Sequence, residues 1–103
     1  MNKQTEQLIL SNFFSAYFHE DWHRDAGSPE AVIAGYIQTA TPSDMSSLGQ
    51  AIRHFSQAFV SDIQLEEKLF TELGCYYRPS GEGLSAKAWL EYVANQLLQE
   101  NRS

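Results

Sequence analysis

The sequence predicts an all-α protein, a compact bundle of about five helices. Apolar residues recur at helical spacing along nearly the whole chain, and Ser-Pro and Thr-Pro pairs stand where helices should begin. No run alternates apolar and polar residues as a half-buried strand would. In the first segment Leu10, Phe13, Phe14, Tyr17 and Phe18 follow the i, i+3, i+4, i+7, i+8 pattern that lines one helix face. A second helix opens at Ser28-Pro29-Glu30, where Ser can cap and Pro suits the first helical position, with Val32, Ile33, Tyr36, Ile37 and Ala40 facing inward. A third opens at Thr41-Pro42 and buries Met45, Leu48, Ile52, Phe55 and Phe59. A break at Ser61-Asp62 begins a fourth, with Leu65, Leu69, Phe70 and Leu73 inward and Gly74 as a left-handed stop. The segment CYYRPSGEG, residues 75 to 83, is the longest loop, and Ser85 caps a last helix that buries Ala86, Trp89, Leu90, Val93 and Leu97.

Length and charge narrow the function. A chain of 103 residues, 43% hydrophobic, has room for one folded domain spanning residues 1–103 and for one main task. Thirteen acidic residues against seven basic ones give a net charge of −6, and the basic residues are scattered singly. Without a basic stripe to neutralise phosphates, direct nucleic-acid binding is not expected, whereas an acidic surface can attract a basic protein partner. The same charge also serves solubility. No apolar run approaches the roughly 20 residues of a membrane span, and the N-terminal segment does not have the form of a signal peptide. The expected location is therefore the cytoplasm. The single cysteine, Cys75, agrees with a reducing compartment and, with no activating neighbour in sequence, is expected to be structural.

One motif suggests chemistry. His19-Glu20-Asp21-Trp22-His23 matches the H-E-x-x-H pattern of zinc peptidases, in which two histidines one turn apart on a continuous helix converge on zinc. Continuing the first helix would, however, bury Asp21 on the stripe of Leu10, Phe14 and Phe18, an unpaired carboxylate in apolar surroundings. A bend near His19 to Asp21 avoids this, and Asp21 could cap the turn that follows. The expectation is then that His19 hydrogen-bonds at a helix end, Trp22 belongs to the core and His23 lies at the surface. His54, on the polar side of the third helix, is the only remaining histidine. The alternative, a small zinc hydrolase ligated by His19 and His23, stays open at this point, as does a regulatory protein-protein adaptor. No other catalytic arrangement, phosphate-binding glycine loop or cofactor site is evident, and Glu66-Glu67 has the form of a solvated helix face.

Two segments, FFSAYFHEDW (13 to 22) and LGCYYRPSGEGLSAKAWLEYV (73 to 93), resemble a family of small helical immunity proteins from bacterial contact-dependent growth inhibition systems. Tyr17, Phe18, His19, Asp21 and Trp22 match that family's aromatic segment ending the first helix, with Glu20 where a YFHQDW-type segment has Gln. Leu73, Gly74, Tyr76 or Tyr77, Pro79, Gly81 or Gly83, Ser85, Trp89 and Leu90 match the segment joining its last two helices. The resemblance implies a cytoplasmic, non-enzymatic protein, monomeric or weakly oligomeric, without cofactor. It also implies that the partner is the C-terminal toxin domain of a matching effector, many of these toxins being nucleases, with ribonuclease favoured. The acidic balance suits such a partner, because a nuclease site is basic. Both segments are expected to be architectural, with Tyr17, Trp22 and Trp89 largely buried. The toxin is expected on exposed loops and helix ends, at Asp21, Asp25, Glu66, Glu67, Glu72, Tyr76, Tyr77 and Glu82, with one of the two tyrosines packed inward.

Overall fold

Hydroxyl side chains start the helices at the positions expected of them. Ser28, Thr41, Ser61 and Ser85 each accept a hydrogen bond from the backbone N–H three residues on, at Ala31, Asp44, Gln64 and Ala88. In the computed structural model, which describes residues 3–25 and 27–102, the order is α1 (Lys3–Tyr17), α2 (Trp22–Asp25), α3 (Pro29–Thr39), α4 (Pro42–Gln57), α5 (Asp62–Leu73), a 3₁₀ turn (Pro79–Glu82) and α6 (Ala86–Arg102). Five of these are full helices, α2 is a single turn, and no strand occurs among the described residues. Gly74 ends α5 at φ 71, and the Cys75 N–H reaches back to the Leu69 carbonyl at 3.0 Å.

α4 and α6 form the most extensive helix pair. Gly49 makes their close approach possible: a Cβ there would meet Leu98 Cγ at 2.9 Å and the Ala94 carbonyl oxygen at 3.4 Å. Ala51 and Ala94 add further small, fully buried side chains to the two helices. At the edge of the pair the Arg53 guanidinium donates to the Asn95 amide oxygen at 2.8 Å. α1 lies against α4 and α5, and the His54 imidazole of α4 meets the Glu6 carboxylate of α1 at 2.6 Å.

The core draws on all of these helices. Leu10, Phe13, Phe14 and Phe18 from α1 and its exit join Val32, Ile33, Met45, Leu48, Ile52, Leu65, Leu69, Leu73, Leu90, Val93 and Leu97. Tyr36, Ile37, Ala40, Phe55 and Phe59, expected inside, are only partly buried at its margin. Phe70 is likewise half-buried. α4 also stops at Gln57, so Phe59 lies beyond the helix rather than on it.

Tyr17 corrects an expectation, being 36% exposed rather than buried. It occupies the last turn of α1 at the edge of the apolar stripe. Its ring stacks on Phe13 at 5.3 Å and meets Tyr36 edge-on at 5.4 Å, closing the seam with α3 while keeping one side in solvent.

Candidate partner-binding surface

The chain leaves α1 at Tyr17 and turns before α2, so the H-E-x-x-H segment does not lie on one continuous helix. His19 Nδ1 accepts from the Asp21 N–H at 3.1 Å, and the Trp22 N–H donates to the His19 carbonyl at 3.0 Å. His19 is thus a half-buried hydrogen-bonding residue at a helix end, and Trp22 belongs to the core. The side chains of His23 and Asp25 lie outside the described residues. Among the described residues no group of three or more His, Cys, Asp or Glu could hold a metal ion. No helix among them is long and apolar enough to cross a membrane.

The turn brings the two segments of the resemblance together. Tyr77 packs against Trp89 at 4.8 Å and Trp22 at 5.5 Å, and Phe18 meets Trp89 at 5.4 Å, so one aromatic cluster joins residues 18–22 to residues 77–89. The Tyr76 N–H donates to the Phe18 carbonyl at 2.8 Å, which fastens the loop after α5 to the exit of α1. Cys75 is buried beneath, its thiol 3.5 Å from the Tyr77 carbonyl, and burial pushes its pKa up to about 12. A thiol in that state is structural.

Of the two tyrosines, Tyr77 is the inward one at 5% exposure, and Tyr76 stands 46% exposed. Tyr76 meets Phe70 of α5 edge-on at 5.0 Å, and the Arg78 guanidinium lies 4.9 Å from the centre of the same ring. Beside them opens a cleft of about 410 Å³, whose walls include Tyr76, Tyr77, Arg78 and Glu82 of the loop and Ser28, Pro29 and Glu30 at the start of α3. Burial first, then the negative charge of Glu82 and the hydrogen bond the phenol donates to that carboxylate, and after these the charge of Glu30, raise the Tyr77 hydroxyl to about 12.

Of the eight residues expected to meet a partner, the seven whose side chains are described do not share one face. Tyr76, Tyr77 and Glu82 line this cleft. Glu66 is engaged below it, where its carboxylate accepts from the Ser80 N–H at 2.9 Å and the Ser80 hydroxyl at 2.8 Å and ties the 3₁₀ turn to α5. Glu67 is exposed on α5. Glu72 pairs with Lys68 at 2.9 Å and lines a separate cleft with Glu6, His54, Phe55 and Phe59. Asp21 is exposed in the turn before α2. Glu30 was missed from sequence, since its position in the first turn of α3 reads simply as a favourable charge at a helix N-terminus.

Comparison with known proteins follows the same outline. The profile of the CdiI immunity protein family matches residues 7–97. A chain of the crystal structure of a CdiA-CT/CdiI complex from Y. kristensenii superposes with a TM-score of 0.80 at 24% identity, covering 89% of this chain and 98% of that one. No curated protein matches. The structural likeness shows a shared fold, and the family match, which spans both aromatic segments and runs from within α1 to within α6, shows the family. The chain is not an enzyme but a member of the CdiI immunity protein family.

Proposed function

We propose that this protein binds and neutralises the C-terminal toxin domain of a cognate contact-dependent growth inhibition effector, acting in the cytoplasm of the cell that makes both. The observation that carries this reading is the family match over residues 7–97. The similar fold found in a CdiA-CT/CdiI complex is consistent with it.

The toxin is proposed to be a nuclease, with a ribonuclease favoured. A net charge of −6 with the basic residues dispersed suits a protein that competes with a polyanion for a basic site. The loop from 75 to 83, with its exposed Tyr76, and the neighbouring start of α3 form the proposed contact region, because exposed aromatic residues on positioned loops supply most interface anchors. Glu67 and Glu72 contribute through their field.

Inducible expression of the cognate effector's toxin domain, with and without this chain, tests the reading. Growth arrest by the toxin alone and rescue on co-expression are expected, together with a stable complex in solution. A toxin that remains lethal beside abundant folded protein would overturn the immunity role. Intact RNA and DNA in the arrested cells would overturn the nuclease assignment alone.

A further inference from the structure

The cleft between the 75–83 loop and the start of α3 has a composition that selects its occupant. Two carboxylates reach it from segments far apart in sequence, Glu30 from the first turn of α3 and Glu82 from the 3₁₀ turn. Neither is engaged in an ion pair among the described residues. Tyr77, 5% exposed, and Tyr76, 46% exposed, line the cleft as well. One cation, Arg78, also lines the cleft, so these three charges leave it net negative.

The walls are held in place. Glu66 fixes the Ser80 N–H and hydroxyl. Pro79 is buried, the Leu84 N–H donates to its carbonyl at 3.0 Å, and Gly83 leaves the 3₁₀ turn at φ 76, a left-handed conformation suited to glycine. On the other side the Ser28 hydroxyl caps α3 two residues before Glu30. A site whose walls do not need ordering on binding loses less affinity to conformational entropy.

We infer that this cleft receives an arginine side chain of the toxin domain, its guanidinium bound by the Glu30 and Glu82 carboxylates and lying against the exposed Tyr76 ring. The inference rests on the immunity reading and deepens it. A planar guanidinium can satisfy carboxylates through several N–H groups while its face lies on an aromatic ring, which a lysine ammonium does less well. About 410 Å³ leaves ample room for one such side chain. Nuclease sites carry arginine to hold phosphates, so this occupant would also couple binding to inhibition.

The test compares two doubly substituted proteins with equal charge change, using the cognate toxin domain made inactive for purification. Glu30→Gln with Glu82→Gln removes the cleft's two negative charges while keeping side-chain shape. Glu67→Gln with Glu72→Gln removes two from α5 outside it. Unchanged melting temperature identifies folded variants. The cleft variant is expected to dissociate from the toxin at least about tenfold faster, and the α5 variant at the wild-type rate, because a contacted charge acts on dissociation and a distant one on association. Equal dissociation rates for both variants would overturn the cleft assignment while leaving the immunity reading intact. Failure of the wild-type protein to bind would overturn that reading and this inference with it.

Discussion

Cys75 and Tyr77 lie two residues apart under the same loop, and both hold their protons more tightly in the fold than in the free chain. Burial is the main cause for each, raising the thiol from 9.0 and the phenol from 10.0, both to about 12. A pKa raised by folding means that the unfolded chain releases its proton first as pH rises. The stability these groups contribute is therefore complete below about pH 9 and is lost progressively toward pH 12. The urea midpoint is expected to be insensitive to these groups across neutral pH and to fall above about pH 9. A midpoint that stayed constant to about pH 11 would contradict the assignment. In the same cluster Trp89, 5% exposed, touches Phe14, Phe18 and Tyr77. Trp89→Ala should cost about 3 to 5 kcal/mol. In a marginally stable domain, protection should then disappear through unfolding, seen as lost helical circular dichroism. A well-folded Trp89→Ala protein that had lost only toxin binding would place this residue in the interface instead. The burial of Trp89 was legible from spacing and that of Trp22 from the bend and the aromatic segment around it, but the exposure of Tyr17 was not, because periodicity identifies a stripe without marking its edge.

Helix starts and stops were readable because they are local. Each depends on a side chain bonding a backbone group within a few residues, as Ser28, Thr41, Ser61 and Gly74 do. The pairing of helices depends on distant residues and was not readable. Gly49 gives no local signal, being an isolated glycine inside a helical pattern, yet it lies directly against Ala94 and Leu98 of α6. Gly49→Ala should force Leu98 to move against neighbours and cost about 1 to 3 kcal/mol, measured as a lower urea midpoint. An unchanged or higher midpoint would show that Leu98 yields freely. Asp62 is a similar case: its carboxylate accepts from the Ala86 and Lys87 N–H groups, both at 2.9 Å, so the N-terminus of α5 caps the N-terminus of α6. The bend between α1 and α2 gives an expectation of its own. With the histidine pattern split across a turn, zinc has no preformed helical site there, and protein with and without added zinc should melt at the same temperature. A rise of many degrees at micromolar zinc would restore the metal reading.

At the scale of the molecule, composition favoured protein recognition over direct nucleic-acid binding, but it could not locate the surface. The acidic residues are spread over the chain, and folding sorts them into different tasks. Glu66 anchors a loop, Asp62 caps a helix, Glu6 meets His54, and Glu30 and Glu82 line one cleft from positions distant in sequence. A grouping by sequence neighbourhood therefore joined Glu66, Glu67 and Glu72, which the fold separates. What remains common to them is the net charge of −6, and that has a kinetic consequence. Exposed charges act on a partner over the Debye length, about 10 Å at 0.1 M salt, so they accelerate the encounter more than they hold the complex. Reversing Glu67 and Glu72 to Lys takes the net charge to about −2 without altering the proposed cleft. With a basic toxin domain, the wild-type association rate should fall as salt rises. The reversed variant should associate more slowly at low salt, converge on the wild-type rate at high salt, and dissociate at the wild-type rate throughout. Stopped-flow mixing across a salt series measures all three. An association rate indifferent to both salt and charge reversal would mean that these α5 carboxylates serve solubility alone and that contact is governed by shape.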